Sequence, residues 1–201
     1  MSLPHPAVFR PEFLTERLTL IARWLLEELH ATEDDLVRAT DDGYSRGCTA
    51  FARQRMRIMK EAVSGRHEWL ALSNATNALV FTIVGTPCRF SNDDPDNPKK
   101  DAVLQANRQQ QLFVSESDRE APSRFCFVID RGLDGIDDPH VELLGFNAQN
   151  ELMCRWISSA VRVLHVANNQ PVVEAVEVAK PVVAPKRRDG EDAAPADKVA
   201  S

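Results

Sequence analysis

No apolar run in this chain approaches the roughly 20 residues that a membrane-spanning helix requires. The opening residues, MSLPHPAVFRPEF, lack a basic stretch followed by an apolar one, so no secretory leader is expected. No C-x-x-C pair occurs. Cys48, Cys88, Cys126 and Cys154 stand far apart, with no histidine at zinc-finger spacing. A sequence-local zinc module is thereby excluded, and reduced, mostly buried thiols in a cytoplasmic protein are expected. Neither a Walker loop nor G-x-G-x-x-G is present, so nucleotide binding has no support and no cofactor is expected. Internal repeats are absent as well.

What is present is ordinary in bulk and uneven in detail. The chain has 201 residues, 43% hydrophobic and 27% charged, enough for one domain or two small ones. Its net charge of −6 conceals an asymmetry. Residues 1–43 hold four basic and nine acidic side chains, and residues 90–142 hold six basic and twelve acidic. Between them, residues 44–66 carry Arg46, Arg53, Arg55, Arg57, Lys60 and Arg66 against Glu61 alone. Overall acidity argues against a chain coated with nucleic acid, yet leaves room for one basic face.

Helical periodicity in Leu14, Leu18, Ile21, Ala22, Leu25 and Leu29 predicts a helix over 11–30, with Pro11 in its first turn. Thr32, followed by Glu33, Asp34 and Asp35, predicts an N-cap and a short helix over 33–40. After DDGYSRG, a longer helix is expected over 48–64, with Gly65 as its C′ residue. HEWLALS and ALVFTIVG, separated by NATN, read as a β-hairpin. TPCRFSNDDPDNP reads as a loop. Asn97 and Pro98 are expected to open a helix over 98–112. RFCFVID and HVELLGF read as strands. Leu152, Met153, Trp156, Ile157, Ala160, Val161 and Leu164 share a helical face, which favours a helix over 151–166 rather than more sheet. PVVEAVEV reads as a last strand, and residues 180–201 as a disordered tail.

The order helix, short helix, turn, longer helix, hairpin resembles that of winged-helix regulators, over residues 11–86. That resemblance implies that the helix before the hairpin enters the major groove and that the hairpin forms the wing. Within the predicted helix, Phe51, Ala52, Ile58, Met59, Ala62 and Val63 can pack inward. Arg53, Arg57 and Lys60, at i, i+4 and i+7, share another face, with Arg46 one step back. Guanidinium groups there suit phosphates and guanine, and Gln54 suits adenine. The same stripe is equally readable as a solvated face, or as the partner of the acidic flanking segments.

Two other patterns carry chemistry in some proteins. Gly43-Tyr44-Ser45-Arg46-Gly47 matches G-x-S-x-G, the nucleophile elbow, but no strand precedes it, so no catalytic residues are assigned. Asp93, Asp94 and Asp96 lie in one loop. Asp130, Asp134, Asp137 and Asp138 gather around another, and His140 and Glu142 share a strand face. Asp130, His140 and Glu142 could hold a hard cation, although Asp-rich turns also bond their own backbone and no E-x-K tripeptide accompanies them. His5, His30, His67 and His165 read as surface or satisfied core groups.

These readings predict an α+β chain. A winged helix-turn-helix-like three-helix unit with its hairpin spans 11–88, a smaller mixed segment spans 89–179, and the tail spans 180–201. The expected function is non-enzymatic DNA binding or regulation through Arg46, Arg53, Gln54, Arg57 and Lys60, with double-stranded DNA as partner. A second reading has the same helix dock an acidic protein, or a second copy. A third is a metal-dependent nuclease using Asp130, His140 and Glu142.

Overall fold

The computed structural model describes residues 3–100, 103, 121–132 and 138–159. A 3-10 turn, Pro6–Val8, leads into α1 (Thr15–Asp35) and α2 (Gly43–Val63). Six strands follow: β1 (Leu70–Asn74), β2 (Val80–Ile83), β3 (Thr86–Asn92), β4 (Arg124–Asp130), β5 (His140–Phe146) and β6 (Leu152–Ile157). They form one sheet in the order β1-β2-β3-β4-β5-β6. Only β3 and β4 run parallel; each other neighbouring pair is antiparallel. No described helix is long and apolar enough to cross a membrane.

The chain is α+β, but the three-helix winged unit is not there. The expected helix over 11–30 and only the start of the one expected over 33–40 form a single element, α1, and residues 36–40 are not helical. Thr32 is no N-cap: it sits inside α1, fully buried, and its hydroxyl donates to the Glu28 carbonyl at 2.7 Å. A threonine can satisfy itself in that way in mid-helix, so its presence does not mark a start. The chain breaks later, at Leu36. Asp42 then caps α2 by accepting from the Ser45 amide at 2.8 Å, a bond that holds the Asp42 carboxyl below its usual value. α2 thus begins at Gly43, well before the expected 48, and ends with Gly65 at φ +69.

The hairpin is real, but it is no wing: β1 and β2 are the edge of the continuous sheet, so the 88/89 boundary falls within β3. The expected loop TPCRFSN is β3 itself, and Pro87 was the misleading signal. The Val84-Gly85 connection has φ +48 and +85, the backbone of a two-residue hairpin turn. Ile83 and Thr86 close it, so Pro87, opposite Thr82, occupies a non-hydrogen-bonded position. The ladder with β4 starts one residue later, at Cys88. The missing N–H of Pro87 therefore breaks no bond.

β4 and β5 match the expected strands. β6 takes the place of the first part of the helix expected over 151–166, whose residues 160–166 lie outside the described residues. Cys154 and Trp156 turn towards the helices, while Arg155 faces the other way and pairs with Glu142 of β5. Asn150, with φ +65, and the Asn147 side chain, which accepts from the Gln149 and Glu151 amides, reverse the chain into β6. Residues 98–100 are not helical: Asp93, not Asn97, accepts the Lys99 and Lys100 amides. The rest of the helix expected over 98–112, apart from Val103, lies outside the described residues, as do the strand at 171–178 and the tail.

Both helices cover one face of the sheet. α1 lies over β4 and β5, and α2 over β1 and β3. Leu18, Ile21, Leu25 and Leu29 of α1 meet Phe81, Phe90, Phe125 and Phe127 in the main core. Phe13 and Phe125 pack edge-on with centroids 4.6 Å apart. On the opposite face, Cys126, Val128, Leu144 and Phe146 form a smaller cluster with Val103.

Candidate functional site: the second helix

Sequence spacing placed Arg53, Arg57 and Lys60 on one face of α2, and α1 lies beside that face. Arg53 donates to Asp35 Oδ2 at 2.7 Å and to the Ala31 carbonyl at 3.2 Å. Arg57 donates to Glu27 Oε2 at 3.2 Å, and its other terminal nitrogen is 3.7 Å from Glu28 Oε1. Arg57 Nε also lies 3.1 Å from Glu61 Oε1, close enough for an ion pair but out of line for a hydrogen bond. Glu61 is 4% exposed and is held additionally by Arg66 at 2.8 Å. The two arginines that would have gripped phosphate thus spend their donors on carboxylates of this same chain.

Gln54 cannot read a base. It is fully buried, donating to the Leu25 carbonyl at 3.0 Å and accepting from Asn92 Nδ2 at 2.8 Å. It joins α1, α2 and β3. Arg46 is half-buried and shares the α1-facing side of α2 with Arg53 and Arg57, near the start of the helix and far along its axis from Lys60. Lys60 is exposed and has no ion-pair partner among the described residues. Arg55 makes one long bond, 3.4 Å, to the Ala75 carbonyl.

α2 also departs from the expected packing in its apolar residues. Ile58 is buried, and Phe51, Met59 and Ala62 pack partly against the core. Ala52 and Val63, expected inside, are exposed, with Val63 at 76%. Met56 is 57% exposed and Tyr44 80%, and Cys48 is exposed too. At 100° per residue, Tyr44, Cys48, Ala52, Met56 and Val63 fall within an arc of roughly 120°. The buried side, Ala50, Gln54, Ile58 and Glu61, is narrow and half polar. α2 therefore carries exposed apolar side chains along an arc that its own fold covers only in part, at Met59 and Ala62, and that Arg55 interrupts. Next to it, an open groove of about 480 Å³ is lined by Ala52, Met56, Arg53, Arg57, Lys60 and Glu28. Glu61 is the one acidic residue of α2, and it is buried, so every exposed charge on the helix is basic.

The other expected constellations dissolve on inspection. Ser45 lies in the first turn of α2, where its hydroxyl donates to the Asp42 carbonyl at 3.0 Å, so G-x-S-x-G is a helix start and no elbow. Asp130, His140 and Glu142 do converge: His140 Nε2 is 3.2 Å from Glu142 Oε1 and 4.0 Å from Asp130 Oδ2. Arg155, however, takes both Glu142 oxygens, at 2.5 and 2.6 Å, and reaches Asp96 at 2.8 Å. Those bonds raise the Arg155 pKa. A guanidinium occupies the place a cation would need, and among the described residues no group of three or more His, Cys, Asp or Glu could hold a metal ion. Asp93 and Asp94 accept backbone amides of their own loop.

No protein-family model matches this chain, and no curated protein or solved structure matches it either.

Proposed function

We propose that the protein is an interaction factor, without chemistry of its own, that docks an acidic amphipathic helix of a partner protein on the outer face of α2. The observation that carries this reading is the exposed arc of Tyr44, Cys48, Ala52, Met56 and Val63 on a helix whose exposed charges are all basic. Exposed apolar side chains on one helix face are the usual footprint of a helix-in-groove contact. Lys60 flanks the arc and Arg55 lies within it, and both select carboxylates over cations in the approaching segment. Arg53 and Arg57 stay paired with α1, shaping the groove wall rather than contributing free charge.

A panel of helical peptides with one common apolar face and either glutamate or lysine flanks tests the proposal by fluorescence anisotropy. Glutamate-flanked peptides are expected to bind the full chain, and Met56→Asp with Val63→Asp to abolish binding while circular dichroism stays unchanged. Equal binding of both peptide types, or binding that survives the double substitution, overturns the reading. Salt-sensitive capture of duplex DNA lost on Arg53→Ala with Arg57→Ala, with no peptide binding, would instead establish nucleic acid as the ligand.

A further inference from the structure

Independently of that docking face, the parallel pair β3 and β4 creates a second feature. Their carboxyl ends lie side by side beneath the first turns of α2. Two adjoining hollows open there, of about 430 and 350 Å³, both bordered by Gly43 and Arg131. Gly47 borders the second one, with the Arg131 guanidinium 3.9 Å from where a Cβ at 47 would be.

The polar groups around this cleft are unequally occupied. Its carboxylates are largely engaged. Asp93 accepts the Asp94, Lys99 and Lys100 amides, Asp94 those of Asp96 and Asn97, and Asp130 that of Gly132. Asp42 caps α2 through Ser45, and Glu33 lies 3.7 Å from His30. The cations differ. Arg46 and Arg131 both line the larger hollow, half-buried, and neither guanidinium makes a hydrogen bond or close ion pair among the described residues, although the Arg46 charge acts on Asp42 at a distance. Lys100 borders the smaller hollow, its ammonium bonded to the Asn92 carbonyl oxygen.

Asn92 supplies the second observation. It lines the smaller hollow and is 8% exposed. The Leu25 carbonyl fixes the Gln54 amide, and Gln54 fixes the Asn92 amide, so Asn92 must present nitrogen to Gln54. Its Oδ1 is left buried without a partner. Buried acceptors are seldom left so, and this one calls for a donor.

We infer that the cleft binds a small organic phosphate that also carries hydroxyl groups. Arg46 and Arg131 clamp the phosphate from two different elements, assisted by the positive end of α2. A ligand hydroxyl donates to Asn92 Oδ1.

The test titrates the full chain with ribose 5-phosphate, inorganic phosphate and ribose, following backbone amide shifts by NMR. Ribose 5-phosphate is expected to bind best and to move the Gly43, Gly47 and Arg131 amides. Arg46→Ala with Arg131→Ala is expected to weaken it by about tenfold or more, with an unchanged circular dichroism spectrum. Arg46→Lys with Arg131→Lys restores part of the affinity. Unaltered binding in the alanine variant, shifts elsewhere in the chain, or no saturation by any of the three probes overturns the site. Inorganic phosphate binding as tightly as ribose 5-phosphate removes the role given to Asn92, and with it the organic ligand.

Discussion

Arg57 and Glu61 stand one turn apart on α2, with Nε 3.1 Å from Oε1, and around this pair the basic segment turns inward on its own fold. Glu61 is buried and is shared by Arg57 and Arg66. Removing a buried anion strands its partners, so Glu61→Ala is expected to destabilise the protein by about 3 kcal/mol. Arg66→Ala, at the solvent side of the same cluster, is expected to cost under about 1 kcal/mol. Urea unfolding of the two variants measures the difference. Equal losses would mean that Glu61 is not the hub of the cluster.

The carboxylates of α1 also determine what the arginines can do. Glu27→Gln with Asp35→Asn removes one negative charge beside Arg57 and the one beside Arg53 while leaving core residues untouched. This double variant is expected to gain affinity for duplex DNA, with a steeper loss on adding salt than the parent shows. Electrophoretic shifts over a range of salt concentrations provide the readout. An unchanged slope would show that the paired geometry does not silence these side chains.

That relationship also marks the limit of what the sequence makes legible. Helical spacing correctly puts Arg53 and Arg57 on one face, because the period is a local property. Which element lies across from that face is non-local, and the answering carboxylates come from 18 and 30 residues away. The α1 core positions, β4 and β5 are readable, since long apolar periodicities and β-rich runs between turn residues leave few alternatives. β6 is not: Leu152, Met153, Trp156 and Ile157 satisfy both periods over so short a stretch. β3 is concealed by Pro87, which is harmless only because of its position in the hairpin register. The Gln54–Asn92 link is invisible from spacing, as nothing local joins a helix glutamine to the end of a strand.

Gly145 of β5 lies opposite Cys154 of β6, and a Cβ at 145 would stand 2.4 Å from the Cys154 sulfur and 3.0 Å from the Phe125 ring. Gly145→Ala is expected to destabilise by about 2 kcal/mol through overpacking. Adding Cys154→Ala removes the nearer obstacle, so the two substitutions together should cost less than the sum of each alone. A double-mutant cycle on unfolding free energies measures this coupling. Strict additivity would place the conflict elsewhere, at Phe125.

Burial sets the behaviour of three of the four thiols at high pH. It pushes Cys126 and Cys154 up to about 12 and raises Cys88 well above its usual value, whereas Cys48 is exposed. In the unfolded chain these thiols ionise near 9. Between pH 9 and 12 the unfolded state has therefore released protons that the folded state retains. Folded pKa values raised in this sense stabilise fully below pH 9 and lose their contribution as pH rises towards 12. Each buried thiol should steepen the fall by at most about 1.4 kcal/mol per pH unit. Urea midpoints in reductant are expected to drop from pH 8.5 to 10.5, and Cys126→Ala, which removes the proton, should flatten that drop. At pH 8 iodoacetamide should alkylate Cys48 alone in the native protein. Rapid labelling of Cys126 or Cys154 under native conditions would show that the sheet opens there and that burial does not govern their ionisation.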